Sequence, residues 1–253
     1  MSFSKLDHIL TKERFDAVLF DLDGVLTDTV KIHAACWKKM FDEFLRHRAR
    51  ETKEPYLPFD TGRDYQLYVD GKLRYEGVRS FLESRGIDLP SGDPEDPPSR
   101  ETICGLGNRK DQMVKDTLET EGVEVYEGSV KLIRHLRNQG IKTAVVSASK
   151  NCQAILKAAR IEDLFDVRVD GEVAARLKLS GKPQPDTFLR AALELGVDPE
   201  RAVVVEDAIA GVQAGRKGGF GLVVGVDRRD GADALRDNGA HIVLADLGEM
   251  LPL

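Results

Sequence analysis

The chain has 253 residues, 42% of them hydrophobic and 32% charged, with a formal net charge of -6. That is long enough for one large domain or for a core domain carrying a second unit. The charge excludes nucleic acid as the main partner, since binding a phosphate backbone needs a basic face, but a few local cations would suffice for a small anionic substrate.

The opening residues "MSFSKLDHILTKERFD" contain no apolar stretch of signal-peptide type, and no segment approaches the length of a membrane span. A cytoplasmic protein with no membrane partner is expected. Cys36, Cys104 and Cys152 are odd in number and widely spaced, which suggests neither a disulfide framework nor a zinc site. They read as reduced, buried thiols.

In chain order, the first element is a short strand at Ala17–Phe20, within "VLFDLDGVLTDT", which runs apolar up to Asp21 and Asp23. Trp37, Met40, Phe41, Phe44 and Leu45 follow at i, i+3, i+4, i+7 and i+8, one face of a helix. Trp37 therefore reads as core. From about residue 46 to residue 100 the chain is polar and punctuated. "YVDGKLRYEG" reads as a turn, with a substrate contact through Lys72 as the alternative, and "LPSGDPEDPPS" reads as an exposed loop. Val78, Phe81 and Leu82 form a short amphipathic piece between them.

Beyond about Val125 the rhythm becomes regular. "IKTAVVSAS" reads as a buried strand and its exit loop, "CQAILKAARI" as a helix, and "DTFLRAALELG" as a helix stopped by Gly196. "AVVVED", "GLVVGV" and "HIVLAD" are further apolar runs without alternation. Strands apolar on both faces and alternating with helices indicate a parallel sheet covered on both sides. The expected fold is α/β, a doubly wound, Rossmann-like parallel-sheet core of residues 1–28 and 126–253. Residues 29–125 are expected to form an inserted, mostly helical cap domain.

In such sheets the ligand sits beyond the carboxyl ends of the strands. Asp21 and Asp23, Ser147, and Glu206 with Asp207 all stand at such ends, and Lys182 lies in the loop "SGKPQPD". Each has a bland explanation alone: an "ED" after an apolar run is often only a helix N-terminus. Together they pose an electrostatic problem, because two like charges a few ångströms apart cost roughly 4 kcal/mol even at an intermediate dielectric. Either some carboxylates are protonated or a cation sits among them. Oxygen ligands without His or Cys favour Mg²⁺ over zinc, and Mg²⁺ beside a lysine and a serine makes a phosphate site.

"DLDGVLTDT", "VVSASKN", "GKPQPD" and "VVVEDAIAG" resemble, in order, the four motifs of the haloacid dehalogenase superfamily of phosphotransferases. His33 and Trp37 after the first motif, "SASKN", and "GLGNRKDQMV" in the cap are similar to its β-phosphoglucomutase-like subfamily. The resemblance implies that Asp21 is the nucleophile, forming an aspartyl-phosphate, and that Asp23 is the general acid/base. It implies a Mg²⁺ held by Asp21, Asp23 (through its carbonyl), Glu206 and Asp207. Phosphate and substrate would be held by Ser147, Ala148, Ser149, Lys150, Asn151 and Lys182, with Thr29 and His33 near the cap hinge and Arg109 as the arginine for the substrate's phosphate. The implied reaction interconverts β-D-glucose 1-phosphate and glucose 6-phosphate through a bisphosphate, on a small phosphorylated sugar, by a monomer. The alternative is a Mg²⁺-dependent sugar-phosphate phosphatase of the same superfamily. The chain departs from the family in the length of residues 46–100, and Cys104 and Gly105 stand near where the family carries a lysine before its cap arginine.

Overall fold

The structure, a computed structural model, describes residues 8–228 and 231–252. Strand β1 (Ala17–Phe20) is followed by α1 (Val30–Thr52), α2 (Arg74–Ser84) and α3 (Ile103–Glu121). Then come α4 (Glu127–Asn138), β2 (Lys142–Val146), α5 (Cys152–Ala158), β3 (Val167–Val169), α6 (Gly171–Leu177) and α7 (Asp186–Leu195). The chain finishes with β4 (Ala202–Glu206), α8 (Ile209–Lys217), β5 (Leu222–Val226), α9 (Ala232–Asp237) and β6 (Ile242–Leu244). Two compact units result, Met1–Asp28 with Val123–Leu253, and Thr29–Gly122.

In the first unit six parallel strands run in the order β3-β2-β1-β4-β5-β6. Every residue of β1, β4 and β5 is buried, which is why these strands are apolar without alternation. Ala17, Leu19, Ala144, Val146, Ala202 and Val204 pack against Phe188, Ala191, Ala192 and Leu195 of α7. Phe188 meets Phe220 edge to face with ring centroids 6.0 Å apart. Gly196 ends α7 in the left-handed conformation expected of it, at φ +65°. In register, Phe20 lies opposite Val145 on one side and Val205 on the other, so the residues that follow these strands emerge at one end of the sheet.

Strand β3 has no counterpart among the sequence expectations. It is three residues long and carries Arg168 at its centre, too short and too polar to stand out as an apolar run.

The second unit is helical, and two readings of its sequence need correction. Residues 46–52 are the last turns of α1, not the start of a loop. "YVDGKLRYEG" is a turn only in its middle: Tyr65–Val69 forms a π-helical turn, and α2 begins at Arg74. The structural reading of Lys72 has its mechanism here, because Nζ donates to the Leu67 carbonyl (3.2 Å) and to Ser80 Oγ (2.9 Å), tying the turn to α2. Between α1 and the π-turn, Asp42 accepts a hydrogen bond from the Phe59 backbone N–H at 2.8 Å, which draws Phe59 into the core.

That core is aromatic. Phe41 lies 5.3 Å from Trp37, 5.2 Å from Phe59 and 4.1 Å from Phe81, centroid to centroid. Because Phe41 is fully buried at the centre of this cluster, Phe41→Ala should cost about 3–5 kcal/mol. Urea unfolding followed by Trp37 fluorescence, which reports on the ring stacked against it, checks this; a loss under about 1 kcal/mol contradicts the central role.

Cys36, Cys104 and Cys152 are free and buried, as expected. Burial pushes the Cys36 and Cys152 thiols above their ordinary pKa, away from the reactive thiolate. No helix among the described residues is long and apolar enough to cross a membrane.

Candidate active site

The strand order reverses direction at β1: the chain winds outward through β2 and β3, then returns to lay β4 on β1's other side. Ligand crevices in such sheets open at this switch point, beyond the carboxyl ends. Asp21 stands there, its backbone N–H donating to Val205 O at 2.9 Å to extend the ladder by one bond. The chain then turns tightly, with Leu26 N–H bonded to Leu22 O (2.8 Å) and Gly24 N–H to Thr27 O (2.8 Å). Gly24 has φ +84°, and a Cβ on it would overlap the Asp207 carboxylate. Only glycine lets this turn approach the end of β4 so closely. A Cβ on Gly211 would likewise occupy the place of the Glu206 carboxylate, which is fully buried and accepts from Ala208 N–H at 3.1 Å.

Lys182 binds these segments together. Its ammonium is buried, pairs with both Asp21 Oδ1 and Glu206 Oε1, and donates to Val146 O at 3.3 Å. Burial alone would lower its pKa, but the two adjacent carboxylates outweigh that and raise it, so Lys182 stays charged. Burial raises the Asp21 pKa well above the ordinary carboxylate value; Lys182 opposes this, and the charges of Glu206 and Asp23 add to it. One ammonium thus faces several carboxylates. Oxygens of Asp21, Glu206 and Asp207 lie within 4.8 Å of one another. An all-oxygen set with excess negative charge, cradled by two glycines, fits a hard divalent cation.

The predicted phosphate loop begins one residue after Val146. Ser147 is buried, with its N–H bonded to Val169 O at 3.0 Å. Ser147 Oγ accepts from Ser149 N–H (3.1 Å) and Ser149 Oγ from Asn151 N–H (3.1 Å), so consecutive hydroxyl turns shape Ser147, Ala148, Ser149, Lys150 and Asn151. Behind them stands Asp170, absent from the sequence reading. It caps α6 by accepting from the N–H groups of Glu172 and Val173 (3.0 Å each) and pairs with Arg168. Next to it, a Cβ on Gly171 would press into the Ala148 carbonyl at 2.7 Å.

Thr29, His33 and Arg109 belong to the cap unit. Thr29 precedes α1 and its carbonyl accepts from His33 N–H at 3.0 Å. Arg109 Nε donates to Pro98 O at 2.7 Å, which ties α3 to the preceding loop. The buried cation of the cap is its neighbour Lys110, whose Nζ lies 2.7 Å from His33 Nδ1 and 4.9 Å from the Trp37 ring centroid. An ammonium can only donate, so Nδ1 accepts and the His33 ring proton sits on Nε2. Lys110 escaped the sequence reading although the signal was present. Ile103, Leu106, Gly107, Lys110 and Val114 share the buried face of α3, and a lysine on an otherwise apolar stripe is the departure to notice.

A family model described as haloacid dehalogenase-like hydrolase matches residues 15–219, and the chain belongs to that family. Within it, the chain is 48% identical over 242 residues to a beta-phosphoglucomutase of Mycobacterium tuberculosis, covering 94% of this chain and 92% of that one. It is 34% identical over 210 residues to a beta-phosphoglucomutase of Bacillus subtilis, covering 83% and 82%. The crystal structure of a beta-phosphoglucomutase from Clostridium difficile superposes with a TM-score of 0.72 at 26% identity, over 93% of both chains.

Proposed function

We propose that the protein is a phosphotransferase of β-phosphoglucomutase type, interconverting β-D-glucose 1-phosphate and glucose 6-phosphate through an aspartyl-phosphate and a sugar bisphosphate. The observation that carries this reading is the buried Asp21, held by Lys182 beside Glu206 and Asp207 at the switch point of the sheet. The near full-length likeness to proteins of that name supports the choice of substrate.

In this reading the Asp21 carboxylate attacks the phosphorus in line. A bond forms between Asp21 and phosphorus as the bond to the departing sugar oxygen breaks, and Asp23 delivers its proton to that oxygen. In the second half the 6-hydroxyl of an incoming β-glucose 1-phosphate gives its proton to Asp23 and takes the phosphoryl group from Asp21, forming the bisphosphate. In the next round Asp21 takes the 1-phosphate of that bisphosphate, and glucose 6-phosphate is released. Lys182, Ser147 and the loop through Asn151 hold the phosphoryl oxygens where charge spreads in the transition state. Mg²⁺, held by Asp21, Glu206, Asp207 and the Asp23 carbonyl, would neutralise that charge when bound. Thr29, His33 and Arg109 are assigned to the cap's contacts with the sugar phosphate.

The deciding experiment supplies β-glucose 1-phosphate, Mg²⁺ and a trace of β-glucose bisphosphate, and follows both glucose 6-phosphate and free phosphate by phosphorus NMR. Isomerisation that needs the bisphosphate and outruns phosphate release is expected. Rapid hydrolysis with no isomer at any bisphosphate concentration would instead identify a phosphatase on this scaffold.

Arg109→Ala tests one cap assignment. A charge-assisted arginine–phosphate contact is among the stronger hydrogen bonds, so the KM for β-glucose 1-phosphate in the primed reaction should rise about tenfold or more. A small ester such as acetyl phosphate has no second phosphate to hold and should be nearly unaffected. Equal damage to both would remove Arg109 from substrate recognition and leave it the structural task of holding Pro98.

A further inference from the structure

Arg228 belongs to none of the motifs, yet it reaches the loop that carries Asp23. Its Nε donates to the Gly24 carbonyl at 2.8 Å and its Nη1 to the Ala245 carbonyl at 2.9 Å. The guanidinium carbon lies over the Tyr126 ring, 3.6 Å from its centroid. Tyr126 itself is built into the stretch where the chain re-enters the core. Its N–H donates to Leu26 O at 2.9 Å, and its hydroxyl donates to Asp28 Oδ1 at 3.0 Å. Burial, and then the bond to Asp28, pushes the Tyr126 pKa up to about 12, so the hydroxyl remains a donor. Ser129 Oγ holds the Val25 carbonyl at 2.6 Å from the same side.

The Arg228 side chain is only 15% exposed, and its charge is costly to desolvate. Its acidic neighbour, Asp246 Oδ2, stands 4.0 Å away and is half exposed, whereas its two hydrogen bonds go to backbone carbonyls. Nη2 is buried without a hydrogen-bond partner among the described residues. This is a poor arrangement for stability alone. It is a good one for geometry, because a rigid planar fork braced on an aromatic face fixes two points at once.

We propose that Arg228 is a positioning residue for proton transfer by Asp23. By fixing the Gly24 carbonyl it anchors the Gly24–Val25 peptide, one residue beyond Asp23, and, with Tyr126 and Ser129, holds the Leu22–Thr27 turn in one conformation. This rests on Asp23 being the general acid/base, and is independent of which sugar the enzyme takes.

The test separates phosphoryl transfer from protonation. p-Nitrophenyl phosphate releases a stable anion and needs little help from an acid, whereas β-glucose bisphosphate releases a sugar oxygen, a poor leaving group, and needs it fully. kcat/KM for phosphorylation of Asp21 is measured on both esters with the full chain and Mg²⁺. Arg228→Ala should lose about tenfold or more on β-glucose bisphosphate, since misplacing a reacting group by an ångström costs up to about a hundredfold, and less than about twofold on p-nitrophenyl phosphate. Arg228→Lys keeps the charge and can reach one carbonyl but not both, so it should fall between Arg228→Ala and wild type on β-glucose bisphosphate. Equal losses on the two esters would show a general structural role and overturn the proposal, as would no loss on either. If Arg228→Ala does not fold, Arg228→Lys decides alone: wild-type behaviour on both esters defeats the proposal. Wild-type protein inert on both esters would sink the phosphotransferase reading itself, a different failure seen before any variant is made.

Discussion

Asp21→Asn is expected to abolish turnover, by more than about 10⁴-fold as for other nucleophiles that work as part of a unit, while leaving the fold intact. The amide is nearly isosteric but cannot form the acyl-phosphate. Rapid-quench trapping of the phosphoenzyme is the direct measurement, and a variant keeping a tenth of wild-type rate would show that Asp21 is not the nucleophile. The same substitution has a signature in stability. Burial, aided by the charges of Glu206 and Asp23 and opposed by Lys182, raises the folded pKa of Asp21 above the unfolded value. A carboxyl raised in this way contributes stability that is fully present below its unfolded pKa and lost as pH rises through the folded one. Asparagine does not titrate. In metal-free protein, the melting temperature of Asp21→Asn relative to wild type should therefore climb as pH rises above the ordinary carboxylate range. A constant offset would mean that the pocket tolerates the ionised carboxylate without cost.

Asp23→Ala should be nearly as damaging to catalysis and far gentler on the metal site. General acid/base groups contribute roughly 10²–10⁴-fold, and the loss should be concentrated on substrates whose leaving group needs a proton. The clustered oxygens belong to Asp21, Glu206 and Asp207, and alanine keeps the backbone carbonyl at position 23. Mg²⁺ affinity by calorimetry should therefore survive Asp23→Ala and collapse in Asp207→Ala. Comparable losses of affinity in both variants would make Asp23 a metal ligand through its side chain and vacate the acid/base role.

The parts of this molecule that sequence reasoning finds are those in which one physical demand dominates. β1, β4 and β5 are buried on both faces, so their sequences are unbroken apolar runs. Asp21 and Glu206 stand at the ends of such runs, where charge is costly and therefore conspicuous. Legibility fades where a residue answers to several neighbours at once. β3 is a short strand with Arg168 in the middle. Phe59 lies in a stretch without helical or strand periodicity, drawn inward by Asp42. Lys110 and Arg228 each take their place from partners that only the tertiary structure supplies, and Asp170 is a local helix cap that no apolar run announces. The cap's helices were visible in outline; motif led to Arg109 and passed over its neighbour Lys110, which is buried.

The placement of β1 at the centre of the sheet also governs how the protein must be made. This strand precedes every other strand of the sheet in the chain, yet its partners are Lys142–Val146 and Ala202–Glu206. The whole of Thr29–Gly122 emerges in between and closes a core of its own. Domains fold as units during synthesis, N-terminal ones first, so the inserted unit can complete itself while "AVLF" waits with neither neighbour in existence. During that interval the nascent chain displays a strand apolar on both faces and flanked by open edges, the feature that promotes association between incomplete chains. Asp21 is thus attached to the segment that is synthesised early and secured late, and the carboxylate cluster it shares with Glu206 and Asp207 is assembled only when β4 arrives to close β1's second edge.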